Sequence, residues 1–208
     1  YTALARELKL DLDRHNISIL SVEGVGFKPY VAICNALNIS WVLRTDNDIF
    51  SKTSVTPVKK YYAGISRGIG IVKDIGDNKT GLIEYWNQHS KENEWPKDAE
   101  IPEEAKKLNE YIRTNIKDLG IFLSDVDLEN DLASSELKDT LMNHYGKRDH
   151  DDLVNAMQKK KAENMMEFLT KNHKELSCLE ESKIVEPLTS LIRITTERTR
   201  PDNGERTN

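Results

Sequence analysis

A chain of 208 residues, 38% hydrophobic and 31% charged, has room for one α/β domain with a helical appendage, and two full domains would not fit comfortably. No apolar run approaches the ~20 residues of a membrane span, which argues against a membrane protein. A net charge of −5 argues against a constitutively basic nucleic-acid surface, because neutralising phosphates normally takes clustered Lys and Arg.

The start, Tyr1-Thr2-Ala3-Leu4, shows no signal-peptide layout and reads as the middle of a helix in a longer polypeptide. Ala3 to Leu12 has helical spacing and runs into the polar break Asp13 to Asn16. Ile17 to Val22 alternates like a strand, and Glu23 to Gly26 turns the chain. Pro29 opens a helix that continues from Tyr30 to Leu37 and is capped by Asn38. Ile39 to Thr45 is a short apolar run ending abruptly in Asp46-Asn47-Asp48, the form of a buried parallel strand that delivers acids at its C-terminal edge.

Residues 51 to 100 are less regular: a helix around Tyr61 to Val72, a turn at Gly76 to Asn78 and a polar loop through Trp95-Pro96. An amphipathic helix follows Pro102, with Ala105, Leu108, Ile112 and Ile116 on one face. Leu119 to Ser124 is a second buried strand, and it too ends in acids, Asp125-Val126-Asp127-Leu128-Glu129. Helical segments over about 128–145, 149–172 and 180–193 follow, and the tail 198–208 reads as disordered. Cys34 and Cys178, far apart in apolar helical patterns, read as reduced core thiols of a cytoplasmic protein.

Two parallel strands ending in Asp-x-Asp and Asp-x-Glu bring carboxylates to one sheet edge, where open α/β sheets bind ligands. Crowded like charges raise one another's pKa unless a cation sits among them, which suits Mg²⁺ or Mn²⁺ and, with two ions, phosphodiester hydrolysis. On the residues alone, Asp46-Asn47-Asp48 also reads as a solvated turn, and Asp127 with Glu129 as a helix N-cap and first-turn acid. The five His residues show no paired metal-ligand spacing, and Ser and Cys form no nucleophilic dyad, so zinc and covalent catalysis are set aside.

The stretches Leu12 to Ile19, Gly24 to Tyr30 and Trp41 to Asp48 resemble the Toprim region of OLD-family (overcoming lysogenization defect) ATP-dependent endonucleases. Tyr62 to Ile69 and Asp125 to Leu132 resemble later family blocks. The resemblance implies a small parallel sheet flanked by helices, with inserted helices near 80–117 and additional C-terminal ones. It divides the chain into a nuclease unit over 1–170, a helical segment over 171–197 and the tail. Asp46, Asp48, Asp127 and Glu129 are the implied ligands of one or two Mg²⁺ or Mn²⁺ ions, with Asp125 as competitor. Lys161, with Lys160 in reserve, is the implied electrostatic catalyst, although the Lys159-Lys160-Lys161 run alone also reads as a solvated helix face.

The implied partners are DNA, an upstream ABC-type ATPase domain of the same chain that would bring ATP, further copies of the chain, and a helicase. A Toprim module silent in catalysis, used for assembly or DNA tethering, is the rival of a different class, and another Toprim phosphoryl-transfer chemistry is the nearer one. Val22-Glu23-Gly24 imitates the glutamate motif that opens a Toprim domain. Only 23 positions separate Glu23 from Asp46, enough for one helix and one strand where two of each are needed. The expected catalytic glutamate therefore lies upstream of Tyr1, on a strand whose place beside Ile17 to Val22 or Trp41 to Thr45 is left open.

Overall fold

The computed structural model describes residues 1–22, 24, 26–76 and 81–199. Its centre is a small parallel sheet in which β1 (Leu43–Thr45) pairs with β5 (Ile121–Leu123), Leu43 opposite Ile121 and Thr45 opposite Leu123. Parallel pairing demands a long crossover, and the chain supplies it through a three-stranded antiparallel sheet and three helices between residues 63 and 117. The fold class is therefore mixed α/β with a small parallel sheet among many helices, as the alternating pattern predicts.

The crossover helices are specified locally. In α5 (Glu103–Lys117), Pro102 precedes the first turn, Glu103 and Glu104 meet the positive end of the helix dipole, and Lys117 meets the negative end. Its predicted stripe, Ala105, Leu108, Ile112 and Ile116, is almost wholly buried and packs beside β5. Burying Ile112 or Ile116 contributes about 2 kcal/mol each. In α3 (Ala63–Ile75) small residues allow close approach: a Cβ at Gly68 would stand 2.8 Å from Ile116 Cδ1.

Two apolar cores result. One joins α2 (Lys28–Ala36), α3, α4 (Leu82–His89), α5 and β5 through Val31, Ile65, Ile69, Leu82, Ile112 and Ile121. The other joins α1 (Thr2–Glu7) to the C-terminal helices α6 (Leu128–Ala133), α7 (Lys138–Tyr145), α8 (His150–Gln158), α9 (Lys161–Asn172) and α10 (Glu186–Thr199). Leu4 and Ala5 sit there with Leu141, Leu153 and Phe168, and the 171–197 segment contributes Leu176, Leu179 and Leu188. Tyr1 fastens the start of α1 to the segment before α10, its hydroxyl donating to the Ile184 carbonyl at 3.0 Å.

Several expectations are corrected. Ile17 to Val22 forms no strand: Ile17 N–H turns back to the Leu12 carbonyl at 2.9 Å, and Ile19 and Leu20 are exposed. Among the described residues β1 pairs with β5 alone, which leaves its other edge open. The first helix stops at Glu7, before the left-handed Lys9. The run Ile39 to Thr45 is strand only over its last three residues.

Residues 49–62 fold as an antiparallel hairpin, β2 (Ile49–Lys52) and β3 (Lys59–Tyr62), and Trp95-Pro96 add β4 where a loop is expected. The predicted helix 128–145 is broken into α6 and α7, and 149–172 into α8 and α9. The last helix lies at 186–199 and not 180–193, so 198 and 199 close it; the rest of the expected tail, 200–208, lies outside the described residues, as do Glu23 and residues 77–80. Both cysteines are free, but Cys178 is exposed and Cys34 only partly buried, so neither is a core thiol. Among the described residues no helix is long and apolar enough to cross a membrane.

Candidate functional site

Both acid-bearing turns leave the same edge of the parallel sheet and are stitched together by the backbone. Ser124 N–H donates to the Thr45 carbonyl at 3.1 Å and Asn47 N–H to the Val126 carbonyl at 2.7 Å. Asn47, between the two aspartates, is buried: its amide donates to Asn109 Oδ1 at 2.8 Å and its oxygen accepts the Ile65 N–H at 3.2 Å. This fixes the turn against the start of α3 and leaves Asp46 and Asp48, on either side, half-buried. The approach requires glycine at 64, since a Cβ there would lie 2.5 Å from Asn47 Oδ1 and 2.7 Å from both Asn47 Cα and the Asp46 carbonyl oxygen.

Asp127 caps α6. Its Oδ1 accepts the Asn130 backbone and side-chain N–H groups, each at 2.8 Å, and Oδ2 accepts Gln158 Nε2 at 2.7 Å. Two residues on, Glu129 is buried and receives Lys161, whose Nζ stands 3.0 Å from Oε1. The left-handed Lys160 makes this possible by restarting the chain so that α9 begins at Lys161.

Electrostatically these groups are one system. Burial raises the pKa of Asp46, and Asp48, Asp127 and Glu129 push it further while Lys161 opposes them. Burial also raises Asp48, with Arg67 and Lys161 opposing and Asp127 and Glu129 adding. Burial works against the Lys161 ammonium, but its bond and charge pairing with Glu129, with help from Asp127 and Asp46, hold its pKa above the usual value.

Asp46, Asp48, Asp127, Glu129 and Lys161 are thus brought into one neighbourhood. Asp125 is not part of it: it is drawn to Arg113 of α5, while its own N–H donates to Asp131 Oδ1 at 3.0 Å. Lys160 is exposed and pairs with Glu163 at 3.0 Å. Arg67, which sequence reasoning passed over inside the Tyr62 to Ile69 block, donates from Nη2 to the Asp46 carbonyl, and its charge faces Asp48. Its Nε is buried with no hydrogen-bond partner. The signal was its position one helical turn after Gly64. Four carboxylates therefore face two cations, and the donor set is one of hard oxygens. Among the described residues, however, no three His, Cys, Asp or Glu side chains stand close enough to hold one metal ion together.

Residues 1–48 match the family model described as "Overcoming lysogenization defect protein-like, TOPRIM domain". The chain is 29% identical over 184 residues to the endonuclease GajA of Bacillus cereus (strain VD045), an alignment covering 78% of this chain and 29% of that protein. It therefore spans less than a third of that relative. Two solved structures of the C-terminal region of the Xanthomonas campestris pv. campestris OLD protein, phased with iodine and with mercury, are also similar. The first has a TM-score of 0.49 at 17% identity, covering 95% of this chain and 89% of that one. The second has a TM-score of 0.46 at 16% identity, covering 95% and 90%. The resemblance read from the sequence is borne out: the chain is similar to OLD-like Toprim domains over residues 1–48 and to the endonuclease GajA over most of its length.

Proposed function

We propose that the chain is the nuclease part of a divalent-metal-dependent DNA endonuclease. The observation that carries this reading is the meeting of acids from two parallel strand ends with Lys161 in one charged site. The similarity to a protein named an endonuclease supports it. Residues 1–170 would carry the nuclease unit, with 171–197 bracing it.

Asp46, Asp48, Asp127 and Glu129 would hold Mg²⁺ or Mn²⁺, one ion or two, and the bound cation would supply water activation and charge neutralisation at the phosphodiester. To hold a cation the carboxylates would have to draw closer together than they stand here, and Glu129 would have to give up its pairing with Lys161. Lys161, once free of Glu129, would be placed to neutralise charge developing on the scissile phosphate. Arg67 holds the Asp46 carbonyl and so steadies the backbone that carries its carboxylate. In the longer protein we place an ATPase domain before this unit, further copies of the chain and a helicase as partners, DNA as substrate, a cytoplasmic setting and phage defence as the role.

Nicking of a supercoiled plasmid by the full-length protein tests the reading. Nicking should need Mg²⁺ or Mn²⁺ and fall at least ~100-fold in Asp46→Ala; nicking that survives the change sinks it. One observation favours the silent-module alternative: Glu129 is tied to Lys161 and Asp127 to Gln158 and Asn130, as in a site that serves structure.

A further inference from the structure

The hairpin of β2 and β3 leaves the acid cluster directly. Ile49 follows Asp48, and on the return the Ala63 N–H donates to the Asp48 carbonyl at 2.8 Å. The register sets Phe50 opposite Tyr61 and Lys52 opposite Lys59. With the two-residue period of a strand, these four side chains share one face, an aromatic pair followed by a lysine pair. Lysines facing each other across strands repel. A single carboxylate, Glu94, holds both, 2.6 Å from Lys52 and 3.0 Å from Lys59.

Phe50 is 46% exposed and meets Tyr61 edge-on, ring centres 6.5 Å apart. Tyr61, Lys52, Lys59 and Glu94 line a groove of about 760 Å³ that Trp86 and the exposed Lys91 complete. Glu94 is its only lining carboxylate among the described residues. In a chain of net charge −5, this is a local excess of cations set among aromatic rings. From Asp48 to Lys52 is four residues of strand, about 14 Å, the reach of a few nucleotides.

Lysines set beside rings match a nucleic acid strand with unstacked bases, phosphates going to the ammoniums and bases to the rings. A duplex offers the lysines its phosphates but keeps its bases stacked. We infer that the groove binds a single-stranded segment of nucleic acid, with bases on Tyr61 and Trp86, phosphates on Lys52, Lys59 and Lys91, and the exposed Phe50 beside Tyr61 at the groove's margin. The inference deepens the nuclease reading and rests on it for what happens at the hairpin's acidic end.

The test is fluorescence anisotropy of this chain with a labelled single-stranded oligodeoxynucleotide, and with the same sequence as a duplex, in EDTA so that nothing is cut. The single strand should bind tighter. Tyr61→Ala should weaken it about tenfold, Lys91→Gln should lower the log–log salt slope by about 0.7, and Glu94→Gln, which frees two lysines, should tighten it. Lys91 and Glu94 lie outside the hairpin, so their variants keep the test valid if Tyr61→Ala unfolds.

Affinities within about twofold of wild type for both Lys91→Gln and Glu94→Gln overturn the inference, as does equal affinity for the duplex. Asp46→Ala separates the two readings, since it should lose nicking and keep single-strand binding. Binding with the expected variant pattern in a protein that never nicks supports the groove and sinks the nuclease. Nicking with no response to the groove variants does the reverse.

Discussion

Lys161 Nζ stands 3.0 Å from Glu129 Oε1, joining the first residue of α9 to a buried carboxylate of α6. Lys161→Met leaves that carboxylate without its cation. A cost of about 1 kcal/mol in urea denaturation is expected, modest because the ammonium is largely in solvent. Nicking should fall ~100-fold or more, and Lys161→Arg should restore the stability but only part of the rate. Equal nicking by Met and wild type would remove Lys161 from the chemistry.

Gly64→Ala would force its new methyl against Asn47 and the Asp46 carbonyl, contacts of 2.5 to 2.7 Å that are mostly to backbone. A loss of about 2 kcal/mol or more follows, and the Asp46–Asp48 turn should shift with it. Gly70, six positions on in the same helix, is the contrast. A methyl there meets only the flexible end of Lys28, 3.5 Å away, so Gly70→Ala should be stabilising by about 0.5 to 1 kcal/mol. Similar melting temperatures for the two variants would contradict the packing described.

Adding millimolar Mg²⁺ or Mn²⁺ should raise the melting temperature, since a cation among four carboxylates binds the folded state by mass action. EDTA should reverse the shift, and Asp46→Ala with Asp48→Ala should abolish it. A double variant that still responds like wild type would place the binding elsewhere.

Glu94 gives a pH dependence whose sign can be worked out. Hydrogen bonds from Lys52 and then Lys59 hold its carboxyl below the ordinary glutamate value, which is about 4.3. A depressed folded pKa contributes stability that is fully present above the unfolded value and lost as pH falls through the folded one. The chain should therefore lose a small increment, less than about 1 kcal/mol for so exposed a pair of bridges, as pH drops below about 4. Glu94→Gln should be flatter over that range. An identical pH profile for the two would remove Glu94 from the acid response.

The acid turns were legible because each strand ends its apolar run at the sheet edge, a pattern carried within a few residues: Leu43 to Thr45 before Asp46, and Ile121 to Leu123 before Asp125. The hairpin was not. Lys59-Lys60-Tyr61-Tyr62 has no polar–apolar alternation, and Trp95, which completes that sheet, lies more than thirty positions along the chain. Ile17 to Val22 shows the opposite failure, for it alternates as a strand should and yet pairs with nothing among the described residues. A ladder needs a partner, and local pattern does not supply one. The helix break at Lys159-Lys160 was invisible because lysine, and not glycine or proline, takes the left-handed turn. Asp125 and Asp127 are alike to a local reading, and only the distant Arg113 and Gln158, one pairing with each, show that their side chains go different ways.

The two apolar cores make the acid site a jaw. Asp46 and Asp48 ride on the core around Ile65 and Ile112, and Glu129 and Lys161 on the core around Leu141 and Phe168. Arg44 is the pin: from β1 it reaches the Tyr1 hydroxyl at 2.8 Å, Ser124 Oγ at 3.0 Å and the Asp131 carboxylate, so it grips both halves. How far the two acid pairs stand apart is therefore set by how one core sits against the other, a setting held by Arg44 and by the backbone bonds at Ser124 and Asn47. Arg44→Met should speed amide hydrogen exchange in α6 and α9, the half that this one side chain fastens to the sheet, and leave α5 unchanged.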